Sequence, residues 1–281
     1  MRIISGVREM QVSAEGVRRQ GERIVLVPTM GFLHQGHLSL MHEGRRRGDL
    51  LVVSIFVNPT QFGVGEDYEA YPRDMERDQD LARQAGVDII FAPSVREMYP
   101  AQYQTYVSVE EVARHLCGAA RPTHFRGVTT VVCKLFTIVK PHTGIFGEKD
   151  FQQLVVIRRM VTDLNLDVEI VGMPTYREAD GLAMSSRNSY LTPPERTAAL
   201  CISRALKQAA ARFGQGERRA EAIVQAARDI ITAEPLARID YITLCGTEEL
   251  NDLEQVDREA VLAVAVKVGR ARLIDNVVLK L

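Results

Sequence analysis

Arg23-Ile24-Val25-Leu26-Val27-Pro28-Thr29-Met30-Gly31-Phe32-Leu33-His34-Gln35-Gly36-His37 decides the fold. A β-branched apolar run enters a Gly-containing turn with two histidines, and a helical pattern follows from about Leu38. The first N–H groups of such a helix lack intrahelical partners and lie at the positive end of its dipole, so the turn seats phosphate. His34 and His37, three residues apart, can project to one side, and Gly36 between them lets a nucleotide lie close against the backbone. Two imidazoles so placed face the α- and β-phosphates, where charge develops when an α-phosphorus is attacked and pyrophosphate leaves. The His-x-Gly-His turn therefore reads as a nucleotide-handling site.

Outward from this turn, apolar runs alternate with helical segments. Leu50 to Val57 is apolar nearly throughout, as expected of a strand buried on both faces of a parallel sheet, and Asn58-Pro59 stops it. Arg73 to Gln84 has helical composition with Gly86 at its end, and Asp88 to Pro93 is a short strand. A helix over Val128 to Val139, a strand over Thr143 to Gly147, a helix over Asp150 to Leu164 and a strand over Val168 to Val171 complete the pattern. Repeated β–α–β units predict an α/β fold with a doubly wound parallel sheet, its ligand at the carboxyl ends of the strands. His34, Asn58 and Glu148 all fall just past strand ends, along one edge.

After Val171 the pattern changes. A polar stretch runs from Pro174 to Asn188, and Thr192-Pro193-Pro194-Glu195 opens a long helix to Gly214. A second helix, Ala220 to Ala233, precedes β-like runs at 241–244, 260–266 and 271–275. The expected boundary lies near residue 175, with 1–175 binding nucleotide and substrate and 176–281 a smaller lid domain.

Composition narrows the function. The 281 residues are 46% hydrophobic and 25% charged with a net charge of -1, which gives no global electrostatic reason to bind nucleic acid or an anionic membrane. Arg45-Arg46-Arg47 reads as the solvated, cation-favouring end of the first helix. Cys117, Cys133, Cys201 and Cys245 include no Cys-x-x-Cys pair and suggest neither a zinc site nor a redox dithiol. No apolar run is long enough to cross a bilayer and the N-terminus lacks a signal-peptide pattern, so the expected location is the cytoplasm.

Three further groups carry chemistry. Gly147-Glu148-Lys149-Asp150 lies at a second strand–helix junction: Lys149 suits a triphosphate, and Asp150 can orient that lysine, hold ribose hydroxyls or help position Mg²⁺. Met184-Ser185-Ser186-Arg187, beyond Gly181, can close over a triphosphate, with Arg187 binding phosphate oxygens bidentately. The amides of Asn58, Gln61 and Gln153 can hold hydroxyls and a carboxylate without adding charge, which suits a small polyol acid.

Pro28-Thr29-Met30-Gly31 with His34-x-Gly36-His37, Ser54 to Pro59, Phe91 to Ser94, His124 to Gly127, Phe146 to Asp150 and Met184 to Asn188 together resemble the bacterial pantothenate synthetases. These are the pantoate–β-alanine ligases of the His-x-Gly-His nucleotidyltransferase superfamily. The resemblance spans nearly the whole chain in order. It implies a Rossmann-like nucleotidyltransferase domain, a smaller α+β C-terminal domain and a homodimer. It also implies that Met30, Gly31, Phe32, Leu33, His34, Gln35, Gly36 and His37 contact ATP, with His34 and His37 at the phosphates. Gly147, Glu148, Lys149 and Asp150 would line the nucleotide, Tyr176 would contact adenine through its backbone, and Met184, Ser185, Ser186 and Arg187 would form the mobile phosphate segment. Gln61 and Gln153 would hold pantoate, with Asn58, His124, Tyr71 and Arg121 around them.

The reaction so implied condenses pantoate with β-alanine through a pantoyl adenylate, using Mg-ATP and releasing pyrophosphate and AMP. His34, His37, Lys149, Ser185, Ser186 and Arg187 would neutralise phosphate charge. Two rival readings stand beside it: a nucleotidyltransferase acting on another small acid or a phosphorylated substrate, and a nucleotide sensor without turnover.

Overall fold

In the computed structural model, which describes residues 1–281, the apolar run before the two histidines is the second of six parallel strands. The order along the chain is β1 (Arg2–Ile4), α1 (Val7–Arg19), β2 (Ile24–Thr29), α2 (Gln35–Arg47), β3 (Leu50–Ile55), α3 (Met75–Gln84), β4 (Ile89–Phe91), α4 (Val95–Met98), α5 (Cys117–Ala120), α6 (His124–Val139), β5 (Thr143–Gly147), α7 (Phe151–Asp163) and β6 (Glu169–Met173). Across the sheet it is β1-β4-β3-β2-β5-β6, with every neighbouring pair parallel. Connections thus run to opposite sides from β2, toward β3 one way and β5 the other. A crevice opens at the carboxyl ends of strands at such a switch point.

Each central strand is covered twice. Ile24, Leu26 and Val52 join a core shared with α1, α6 and α7, while Val25, Val27, Leu51 and Val53 join a second core under α2 and α3. Because successive side chains alternate between these layers, the strands read as unbroken apolar runs.

The remaining chain forms α8 (Pro193–Gly214), α9 (Ala220–Thr232), β7 (Ala237–Gly246), β8 (Ala260–Val268) and β9 (Ala271–Leu279). Its three strands make an antiparallel sheet in the order β7-β8-β9. Ala260, Leu262, Val264 and Val266 of β8 share a core with α8 and α9, whereas Val261 and Ala263 belong to the core that holds α6 and α7. The architecture is the α/β, Rossmann-like sheet with a smaller α+β unit that the sequence predicts.

Several boundaries differ from the pattern reading. The helix after the histidine turn starts at Gln35 rather than Leu38, because the His34 carbonyl already accepts from the N–H groups of His37 and Leu38 at 2.8 and 3.1 Å. The helix expected from Val128 starts at His124. Gly127 is not a turn residue: a Cβ there would fall 2.4 Å from the Thr60 carbonyl oxygen, so the glycine lets α6 press against the turn after β3. Between β5 and α7, Glu148–Asp150 forms a single 3-10 turn. β1 and α1 have no counterpart in the pattern, since β1 is a three-residue edge strand and α1 fully buries only Met10 and Ala14.

Arg45, in the last turn of α2, acts as expected of a terminal cation, donating to the carbonyls of Gly48 and Asp49 at 2.6 and 2.5 Å. All four cysteines are free thiols. No helix is long and apolar enough to cross a membrane.

Candidate active site

Four loops leave the carboxyl ends of β2, β3, β5 and β6 and surround an open cleft. Sixteen of the residues singled out by sequence line it: Met30, His34, Gly36, His37, Asn58, Gln61, Tyr71, Gly147, Lys149, Asp150, Gln153, Tyr176, Met184, Ser185, Ser186 and Arg187. Arg121 and His124 line an adjoining chamber that shares Gln61, Lys149, Asp150, Gln153 and Arg187 with the first.

The two imidazoles stack, with ring centroids 3.9 Å apart. The His34 N–H donates to His37 Nδ1 at 3.3 Å, so His37 carries its proton on Nε2. Burial in the cleft, reinforced by the Lys149 cation, pushes the His34 pKa down to about 4. Burial, His34 and Lys149 hold His37 well below its ordinary value too. Both are therefore neutral at pH 7. In the free protein they offer N–H donors rather than positive charge, and an arriving polyphosphate would raise their basicity. His34 Nδ1 and Ser54 Oγ, both buried on the cleft wall, have no hydrogen-bond partner, as expected where a ligand completes the site.

Five expected contacts do not reach the cleft. Gly31, at φ +81°, and Phe32, at φ 51°, turn the backbone so that the N–H groups of Phe32 and Leu33 donate to Asp78 at 2.7 and 2.6 Å. The loop's anion seat is thus filled by the protein's own carboxylate. A Cβ at Gly31 would lie 2.9 Å from both Asp78 Oδ2 and Ile55 Cγ2, so glycine is required there. The Leu33 side chain is fully buried in the core under α2, and Gln35 is exposed on the first turn of α2. Glu148 contributes its carbonyl to Asn276 rather than its side chain to the cleft.

Arg187 also departs from expectation. Its guanidinium is bidentate with Asp67, at 2.9 and 2.8 Å, and lies over the Tyr71 ring at 5.6 Å. Burial would raise the Asp67 pKa, but Arg187 outweighs it and holds the carboxyl below its usual range. The phosphate-binding arginine of the sequence reading is latched in the free protein. Lys149 Nζ lies 3.2 Å from Asp150 Oδ2, a contact that suits the first of the three roles open to Asp150.

On the other wall, Asn58 is consumed by the protein. Its amide donates to Gln61 Oε1 and to the Gly127 carbonyl, both at 3.1 Å, and its Oδ1 accepts from the Tyr99 and Thr60 hydroxyls. Asn58 is therefore a support, not a ligand, and it turns the Gln61 amide nitrogen toward Met30 and the cleft. His124 Nδ1 donates to the Gln61 carbonyl at 2.9 Å, and burial, with Arg121 nearby, pushes its pKa down to about 4. Arg121 pairs with Glu66. Phe56, Val128, Val131, Val132 and Leu135 complete an apolar wall beside Gln61.

Ser54, Asp67 and Asp78 escape the sequence reading. Ser54 had a signal, a lone hydroxyl residue in the apolar run of β3. The two aspartates act on residues 120 and about 46 positions away, which no local pattern shows.

Comparison with known proteins matches this arrangement. The model of the pantoate-beta-alanine ligase family covers residues 2–278. The chain belongs to the pantoate–β-alanine ligase family. Pantothenate synthetase of Syntrophus aciditrophicus is 61% identical over 98% of this chain and 96% of its own length. That of Geobacter sulfurreducens is 60% identical over 99% of both. Among solved structures, pantothenate synthetase from Thermus thermophilus superposes with a TM-score of 0.94 at 47% identity, covering 99% of both chains. The pantoate-beta-alanine ligase of Francisella tularensis, solved in complex with beta-gamma ATP and beta-alanine, gives a TM-score of 0.82 at 34% identity over 99% of this chain and 97% of that one. As a member of this family, the chain is an enzyme.

Proposed function

We propose that the enzyme joins pantoate to β-alanine in two steps at this cleft. A pantoate carboxylate oxygen attacks the α-phosphorus of ATP, forming the acyl phosphate bond of pantoyl adenylate as pyrophosphate leaves. The β-alanine amine then attacks the acyl carbon, the bond to AMP breaks, and the amine proton passes to solvent.

One observation carries this reading: a shelf of neutral imidazoles and a lysine adjoins an apolar wall flanked by the amides of Gln61 and Gln153, all within one cleft. The shelf suits phosphates, and the wall suits the two methyl groups of pantoate with its hydroxyls and carboxylate on the amides. His34, His37, Lys149, Ser185 and Ser186 would stabilise charge developing on the phosphates, where one well-placed donor is worth about 3 kcal/mol in the transition state. Arg187 would join them on release from Asp67. Tyr176 and Met184 would flank the nucleotide, and His124 and Arg121 would border the approach of β-alanine. Closure of the 184–187 segment would exclude water from the adenylate.

Mg²⁺ would arrive with ATP and lower the charge on its phosphates. Asp150, the one carboxylate lining the first chamber, fits that ion, which is commonly held by one or two carboxylates and substrate phosphates. No cluster of three His, Cys, Asp or Glu forms a dedicated metal cage. Resemblance to the family further supports residues 1–175 as the binding domain, 176–281 as the smaller lid-bearing unit, a homodimer and a cytoplasmic location.

The test is pantoate-dependent exchange of labelled pyrophosphate into ATP without β-alanine, then addition of β-alanine. Exchange followed by equal amounts of AMP and pantothenate is the expected result. A stable nucleotidyl product, or ATP binding without acid-dependent turnover, would favour the transferase or sensor reading instead.

A further inference from the structure

Two adjacent residues of β9, Asp275 and Asn276, line the adjoining chamber and reach the Lys149 turn from the C-terminal sheet. Both are almost fully buried, at 3% and 7% exposure. The Asn276 amide donates to the carbonyls of Glu148 and Lys149, at 2.8 and 3.1 Å. Two hydrogens of one nitrogen thus hold the turn that carries Lys149. Asp275 accepts both arms of the Arg177 guanidinium, at 2.7 and 3.0 Å, and the Asn276 N–H at 2.8 Å. Arg177 lies in a short hairpin, bridged to Ala183, in which the Met184 N–H donates to the Tyr176 carbonyl. That hairpin leads directly into Ser185, Ser186 and Arg187.

We propose that Asp275 and Asn276 form a brace that sets the distance between the Lys149 turn and the Tyr176–Arg187 segment, with Asn276 a positioning residue for Lys149. Neither side chain needs to touch the reacting atoms. The two segments leave different strands, β5 and β6, and between them carry the lysine and the serines and arginine assigned to the phosphates. One point of β9 touches both. Misplacement of a catalytic group by about 1 Å can cost a hundredfold in rate, so a turn held by two hydrogen bonds from one amide is sensitive to that amide.

The proposal rests on the role given to Lys149 under Proposed function, and the experiment separates the two. Pantoate-dependent pyrophosphate exchange is measured for Asn276→Ala and Asn276→Asp, with thermal unfolding to count folded enzyme. Both variants are expected to lose about tenfold to a hundredfold in the exchange rate, with the KM for pantoate nearly unchanged. The isosteric Asp must be as damaging as Ala, because a carboxylate cannot donate to two carbonyls. If Asn276→Ala does not fold, Asn276→Asp carries the test. Calorimetric ATP affinity then closes a cycle with Lys149→Ala: the Asn276 substitution weakens ATP in the wild-type background and adds nothing in the Lys149→Ala background. Wild-type exchange in folded Asn276→Asp, or losses that multiply with those of Lys149→Ala, would overturn the brace. Wild-type exchange and ATP affinity in Lys149→Ala alone would overturn the assignment of Lys149; a slow Asn276→Ala beside it would overturn the brace as well, since Asn276 would then act elsewhere.

Discussion

His34, His37 and His124 are held neutral by their surroundings, and that has a consequence for stability. In the folded chain the pKa values of His34 and His124 are near 4 and that of His37 is well below 6.5, whereas the unfolded chain titrates all three near 6.5. Between these values the unfolded state binds more protons, so the histidines' contribution is intact above about pH 6.5 and is lost as pH falls toward 4. The loss approaches about 1.4 kcal/mol per pH unit for each imidazole. His142, nearer the solvent, is also lowered by burial and by Arg18 and Arg23 and adds less. Urea midpoints are therefore expected to fall steadily from pH 7 to 5, and His124→Gln, which keeps a donor for the Gln61 carbonyl, to flatten the slope by about one imidazole's share. A midpoint independent of pH over this range would contradict the neutral histidines. The spacing of the two motif histidines was legible in the sequence because it is local. Their charge state was not, because desolvation comes from walls contributed by residues throughout the chain. Arg187 makes the same point: its chemistry is visible in sequence, but its partner Asp67 is 120 residues away.

At the scale of elements, the strands announce themselves and the helix starts do not. β2, β3 and β5 are buried on both faces, and their apolar runs mark them within a residue or two. The starts of α2 and α6 depend on single contacts, a histidine carbonyl in one case and a glycine pressed on a neighbouring turn in the other. The second contact bears on the pantoate side proposed for the cleft. Gly127 gives its carbonyl to Asn58, which orients Gln61, and His124 at the first position of α6 donates to the Gln61 carbonyl. Substitution Gly127→Ala would place a methyl 2.4 Å from the Thr60 oxygen, forcing α6 and the 58–61 turn apart. Overpacking of this kind costs about 1–3 kcal/mol. The kinetic effect should fall on the acid side of the cleft: the KM for pantoate is expected to rise by about tenfold or more while the KM for ATP changes little. Steady-state kinetics with each substrate varied in turn checks this, and equal rises in both KM values would show that α6 does not position Gln61 selectively.

At the scale of the molecule, β8 ties the two units together. An unbroken apolar run usually marks a parallel strand, yet β8 pairs antiparallel on both sides. It is apolar throughout because it separates two cores. Leu262, Val264 and Val266 face α8 and α9, while Val261 and Ala263, with Cys245 of β7 and Leu250, complete the core of α6 and α7. Buried hydrogen bonds add to this seam, since Asn276 is tied to the Lys149 turn. Domains joined by a small polar contact move freely, whereas those sharing an apolar core do not. The closure over ATP proposed above would then move the 184–187 segment and the loop carrying Asp67 and leave the C-terminal sheet docked. Separation of the units would expose the Val261–Ala263 face together with its counterpart on α6 and α7, so neither can melt alone at low cost. Heating is expected to give a single calorimetric transition in which the van't Hoff and calorimetric enthalpies agree. Two resolved transitions, or a calorimetric enthalpy well above the van't Hoff value, would mean that the sheet unfolds independently and can swing as a lid.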